Sequence, residues 1–212
     1  MKYIFLTLFS LFVFKGVSQT KLYVNPNAQE YVAKTKTLAI LQMNTSIKLR
    51  PKELKDFTPE QVVEMQFSEA ANTQKAMHSW FLTRKKRGEL LVDVQNPTIT
   101  NALLKKAGID PNVAYEQLPS DICEILGVEA ILTGTFSTNK PMSSAAAIGM
   151  ALVFGFGGAT QNATVNLDFI HNDNEIVVNY FKNIKGGLGS SSEDLVNVLM
   201  RKTSRRIPYT KQ

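Results

Sequence analysis

Three features of the sequence predict an α/β (α+β) fold, a three-layer-like sandwich of a mixed β-sheet with helices. The amino-terminal half alternates compact apolar runs of strand length with a long stretch of helical periodicity. Residues 164–181 then alternate apolar and polar side chains on both sides of a polar tip, the pattern of a long antiparallel hairpin. A capped amphipathic helix closes the chain. Strands reached through helices pair in parallel, whereas strands joined by a tight turn pair antiparallel, so the two halves together require a mixed sheet.

Residues 21–37 are polar and mixed and suggest no element; the apolar run 37–43 is the first strand. Thr58-Pro-Glu-Gln61 has the form of a capping box, with proline at the first helical position, where its missing amide hydrogen costs nothing. A long helix follows. Its apolar face is Val63, Phe67, Ala70, Ala71, Met77 and Phe81, with Gln74 the one polar member of the row, and Gly88 ends it. Arg84, Lys85, Lys86 and Arg87 in its last turn suit an anionic headgroup or a nucleic acid. The macrodipole already stabilises each cation there by about 0.3–1 kcal/mol, so no ligand is needed to explain them. Trp80 and Phe81 read as core.

Residues 90–94 form a second strand, and Asn96-Pro-Thr98 opens a short helix over 99–107 that Gly108 stops. After a turn at Asp110-Pro111, Ser120 or a residue near it is expected to cap a helix containing Ile122, Cys123, Ile125 and Leu126, ended by Gly127. Residues 128–136 are a third, largely buried strand. In the hairpin, Val165, Leu167 and Phe169 share one face and Asn166 and Asp168 the other; His171-Asn-Asp-Asn174 turns the chain, and 175–181 return. Ser191 caps the closing helix, Glu193 and Asp194 occupy its first turn, and Pro208 limits any continuation.

The first 18 residues fix the expected compartment. A basic start at Lys2, an apolar core from Ile4 to Phe14 and small residues before Gln19 match a secretory signal peptide cleaved between Ser18 and Gln19. A membrane-spanning helix needs about 20 apolar residues, and this core stops at Lys15. The expected organisation is a signal peptide over 1–18, a mature amino-terminal segment over 19–36 and a single domain over 37–212. Loss of Lys2 and Lys15 takes the net charge from +6 to +4, too modest a balance to suggest nucleic acid. Cys123 is the only cysteine, so no internal disulfide is possible and packing alone must hold the fold.

Catalytic and cofactor signatures are missing from the sequence. The two histidines, His78 and His171, have no ligand-type spacing, and neither a His-Glu-x-x-His motif nor a paired Cys-x-x-Cys is present. Asp93 and Asp168 would have to meet in space to form an acid pair. The Gly-rich stretch 186–190 lacks the lysine of a P-loop, and Glu193 and Asp194 fill the helix end where a phosphate would sit. Cys123 reads as a small buried apolar residue. No catalytic residue, no metal and no cofactor is expected.

The one anomaly is an insertion at 142–161. From Ala145 to Gly158, fourteen residues pass without a polar side chain. The large ones, Ile148, Met150, Leu152, Phe154 and Phe156, fall on alternate positions, the period of a strand, with Val153 the exception. About 9–11 residues suffice for a membrane strand against about 20 for a helix. One hairpin per chain survives in lipid only within a closed oligomeric barrel. A helix capped by Ser144 and docked on protein or membrane, and burial within the fold, are the alternatives. The five large residues are the candidate membrane or partner contact.

The order of strand, long helix and strand, followed by Leu126-Gly-Val-Glu-Ala-Ile-Leu-Thr-Gly-Thr-Phe136, a Gly-rich apolar insertion and a long hairpin, resembles the curli-assembly secretion channel family (CsgG-like) and the related amino-terminal domain of TolB. The likeness covers about residues 37 to 205. It implies a non-enzymatic protein that self-associates as a homo-oligomer in the periplasm, or on the periplasmic face of the outer membrane, of a Gram-negative-type cell. The insertion would then contact the outer membrane or an envelope or secretion assembly. Two departures count against a pore: no cysteine stands at the signal site for a lipid anchor, and only 186–190 occupy the place of a second membrane hairpin. A soluble periplasmic module, with the apolar segment as a lid over a lipid or peptide, is the alternative; an unrecognised hydrolase is a third.

Overall fold

The computed structural model describes residues 20–49, 51–139, 162–185, 192–203 and 206–211. A seven-stranded mixed sheet, formed by β1 (Thr20–Val24), β2 (Thr37–Ile40), β3 (Asn44–Ile47), β4 (Asp93–Val94), β5 (Ala130–Thr138), β6 (Asn162–His171) and β7 (Ile176–Lys185), has the order β1-β7-β6-β5-β2-β4, with β3 also on β5. Around it lie α1 (Ala28–Lys34), α2 (Pro51–Leu54), α3 (Pro59–Lys86), α4 (Pro97–Lys106), α5 (Pro119–Leu126) and α6 (Ser192–Thr203). The expected α/β sandwich is therefore the architecture.

Strand β5 organises the sheet. Along one edge it pairs in parallel, first with β2 (Leu38↔Ala130 to Ile40↔Leu132) and then with β3 (Asn44↔Thr135 to Ile47↔Thr138). Along the other edge it pairs antiparallel with β6 over its whole length. Alternate residues of β2 serve opposite layers. Leu38 and Ile40 join the main core with Met77 and Phe81 of α3 and Leu199 and Met200 of α6, whereas Ala39 and Leu41 join a smaller core with Leu104 of α4 and Ile122, Cys123 and Leu126 of α5. A strand buried on both faces reads as a continuous apolar run, which is why 37–43 was legible.

The long helix begins as expected. Thr58 Oγ1 accepts from the Gln61 amide at 3.3 Å, and Gln61 Oε1 accepts from the Thr58 amide at 2.8 Å. Gln74, the polar member of the buried row, donates from Nε2 to the Ile40 carbonyl at 2.7 Å and to Asn101 Oδ1 at 3.1 Å, tying α3 to the end of β2 and to α4. At the carboxyl end the Glu89 amide bonds the Arg84 carbonyl and the Gly88 amide the Lys85 carbonyl, a Schellman closure with Gly88 at φ +67°.

Several expectations need correction. Residues 21–37 hold β1, α1 and the start of β2. β1 is an edge strand with four of its five residues exposed, and α1 buries only Ala28 and Val32, too little for periodicity to show. β3 is polar in sequence and carries no strand pattern of its own. Of 90–94 only Asp93 and Val94 join the sheet, because Leu90 and Leu91 instead bond Thr210 and Tyr209 near the carboxyl terminus. The α5 cap is Leu118, with no side-chain bond of its own; the Ser120 amide donates to Asn174 Oδ1 at 2.9 Å. Asn174 sits at φ +68° in the β6–β7 turn, a conformation asparagine tolerates better than most residues, so the hairpin tip caps a helix far away in sequence. Val63 and Phe67, expected in the core, are 44% and 37% exposed.

Gly134, mid-strand in β5, has φ +147°, and a Cβ there would lie 1.9 Å from the Asn166 carbonyl oxygen of β6. Two backbones approach where no side chain fits. Gly134→Ala should cost about 2–4 kcal/mol of stability by urea unfolding, in the range of strained or overpacked core sites; a loss below about 0.5 kcal/mol would show that the strands separate freely.

Candidate functional site

Ile148, Met150, Leu152, Phe154 and Phe156, the expected contact residues, lie outside the described residues, as do the cleavage pair Ser18 and Gln19 and the stretch 186–190. What the structure defines is the root of the insertion. Thr138, the last residue of β5, stands directly opposite Ala163 of β6. Antiparallel partners have Cα atoms about 4.5–5.5 Å apart, so residues 139–162 leave and re-enter the sheet at neighbouring points. On its other side Thr138 pairs with Ile47, and its carbonyl accepts from the Lys48 amide at 2.7 Å.

The exposed part of α3 belongs to this end of the sheet. The Gln74–Ile40 bond fixes where α3 crosses the sheet, and Lys85 Nζ meets Asp93 Oδ1 at 2.6 Å towards the opposite end. Val63 and Phe67 lie eleven and seven residues before Gln74, about 10–16 Å along the helix in the direction in which β2 leads to β3. They continue the row of Ala70, Met77 and Phe81 but escape burial, and Leu54 of α2 is 46% exposed. Three large apolar side chains are therefore uncovered, by the described residues, on the helices that follow β3 at the root of the insertion. Scattered apolar exposure is ordinary; a row that is core at one end and bare at the other marks a surface for contact.

The remaining sequence candidates fall elsewhere. Arg84 contacts Glu89 and lies 4.5 Å from the Trp80 ring, and Lys85 pairs with Asp93, so half of the basic cluster at the end of α3 is engaged within the fold. Asp93 and Asp168 do not meet, for β2 and β5 stand between β4 and β6 and three strand spacings make about 14 Å. His171 is buried, with Nδ1 3.1 Å from Asp173 Oδ1 and its ring 5.1 Å from that of Tyr31. Burial lowers His78 and pushes the Cys123 thiol up to about 12, which leaves that sulfur protonated and unreactive. Among the described residues no three His, Cys, Asp or Glu side chains converge on a metal position, and no helix is long and apolar enough to cross a membrane.

The hairpin face expected to hold Asn166 and Asp168 extends across the sheet. Thr133, Asp168, Asn179 and Tyr23 form one row across β5, β6, β7 and β1, and Thr135, Asn166, Phe181 and Lys21 the next. Asn179 Nδ2 donates to Asp168 Oδ1 and to Asn166 Oδ1, and Asn166 Nδ2 donates to Asp168 Oδ2. Burial raises the Asp168 carboxyl above its ordinary 3.8, and the bond from Asn179 pulls it partly back. A group whose folded value is raised contributes most to stability below 3.8, and that contribution is lost as pH rises through the folded value. In an NMR titration the Asp168 carboxyl should have its midpoint above 3.8, and Asn179→Ala should move it further up; a wild-type midpoint at or below 3.8 would contradict the burial.

No family model and no curated protein matches the chain. Among solved structures it is similar to the lipoprotein GNA1162 of Neisseria meningitidis, at 10% identity and TM-score 0.45 over 81% of this chain and 97% of that one. It is similar to the PelC dodecamer of Paraburkholderia phytofirmans at 14% identity and TM-score 0.41, over 92% and 99%. The C-terminal domain of LpoB from Salmonella enterica aligns at 11% identity and TM-score 0.35, over 74% and 94%.

Proposed function

We propose that this chain is a non-enzymatic module of the envelope of a Gram-negative-type cell, exported by its first 18 residues, that self-associates and contacts the outer membrane or an envelope assembly through residues 142–161. The observation that carries the reading is the attachment of the insertion. Fourteen apolar residues are presented between two paired strand ends, beside helices that leave Leu54, Val63 and Phe67 uncovered. An apolar excursion held at both ends by one ladder can be aimed by the sheet, and the bare α3 row widens the same apolar end. The CsgG/TolB-like order of elements favours this role, with Ile148, Met150, Leu152, Phe154 and Phe156 as the contacting side chains. Self-association supplies partners for backbone groups that a single inserted hairpin would leave unpaired in lipid.

Because Thr138 and Ala163 are ladder partners, 142–161 should be removable by closing the shortened loop with an Asn-Gly turn. The expected outcome is a protein that unfolds with wild-type cooperativity but moves from the membrane fraction to the soluble fraction. Unchanged fractionation would sink the membrane contact. A monomer that co-purifies with a lipid or peptide, released by the same deletion, would favour the lid instead.

A further inference from the structure

Lys182 is a charged residue in a place built for apolar ones. On β7 it shares the core-facing row of Val178, Tyr180 and Ile184, it stands opposite Val165 of β6 and Thr20 of β1, and it is 4% exposed. The strand face encloses most of the side chain, and burial works against the charge on its ammonium. Among the described residues, Lys202 in the last turn of α6 and Arg206 just beyond the helix lie near enough to oppose its protonation, after burial itself. Lys202 and Arg206 are exposed, so the group opens to solvent on their side.

Like charges gathered beside one largely buried side chain are stabilised by an anion placed among them. Arg206 offers a planar fork of donors and each lysine a rotatable ammonium, the donor set that matches the several oxygens of a phosphate. Cations on the last turn of α6 suit the helix dipole, but that accounts for Lys202 alone and not for an enclosed lysine on a neighbouring strand. The other basic cluster, at the end of α3, differs: Arg84 and Lys85 there meet Glu89 and Asp93.

We propose that Lys182, Lys202 and Arg206 form a binding site for a phosphate group, either free or carried on a lipid headgroup. The site uses none of residues 142–161 and does not depend on their role. It lies at the sheet end where β5 and β6 meet the insertion, since Lys182 pairs with Val165 and Val165 with Phe136, two residues from Thr138.

The test compares the full mature chain with Lys182→Met, which keeps the straight apolar stem and removes the charge, and with the exposed Lys202→Gln. Inorganic phosphate should raise the wild-type melting temperature beyond chloride of equal ionic strength. Lys182→Met should melt higher than wild type in chloride and lose the phosphate-specific rise, and Lys202→Gln should weaken phosphate binding about tenfold or more. Phosphate also stabilises proteins generally by exclusion, an effect common to all three proteins, so only the difference between them counts. Equal phosphate responses in wild type and both variants would overturn the proposal. Vesicles of phosphatidylglycerol then identify the source: weaker binding by both variants, with phosphatidylcholine unaffected, assigns a lipid phosphate, and unchanged vesicle binding with a lost phosphate response assigns a free one.

Discussion

Everything in this fold hangs on β5. Its first residues, Ala130 to Leu132, are buried on both faces; the strand is paired in parallel on one edge and antiparallel on the other, and it passes so close to β6 at Gly134 that the Asn166 carbonyl occupies the place of a side chain. A strand in that position sets the register of both halves at once. A slip of one residue would turn Leu132 and Phe136 out of the main core and bring Thr133 and Thr135 into it. The absent Cβ at 134 and the alternation along β6 oppose such a slip together, one sterically and one through burial.

With the register held, small polar contacts do the remaining positioning. Gln74 satisfies the carbonyl of Ile40 where β2 ends before the chain continues into β3, and the same side chain engages Asn101 of α4. Asn174, from the hairpin tip, satisfies an amide at the start of α5. Glu129 Oε2, just ahead of β5, accepts from the Lys36 and Thr37 amides at 3.0 and 2.8 Å where β2 begins. Each joins residues distant in sequence, and each would leave a backbone group without its partner if removed, which is costly where water cannot replace it.

The contrast between what the sequence reveals and what it conceals follows from burial. The capping box at Thr58, the run 37–43 and the β6–β7 alternation were legible because each satisfies a local rule, whether a cap, two-face burial or a period of two. β1 and β3 were not, because a strand on the sheet edge, or one as polar as Asn44-Thr-Ser-Ile47, owes its form to its partner rather than to its own pattern. Val63 and Phe67 sit correctly on the apolar row of α3 yet stay exposed, for periodicity identifies a face and not where the opposing layer stops. The site split in the same way. Its apolar residues announce themselves by composition, whereas Lys182 looks like any solvated lysine until its strand face and the approach of α6 are known.

The two ends of the sheet carry different contacts. At one end Lys85 pairs with Asp93 beside the start of β2 and His171 lies close to Asp173 at the hairpin tip, although Leu82, Leu91 and Ile176, close to them in sequence, are exposed. At the other end, strands β5 and β6 lead to the apolar insertion, Val63 and Phe67 of the α3 row are exposed, and Lys202 and Arg206 act on Lys182 with charge of the same sign. If the insertion and the phosphate site both act as proposed, one end of the sheet joins an apolar contact to an anion-binding one, and a phospholipid surface offers both partners at once, hydrocarbon to the first and a headgroup phosphate to the second.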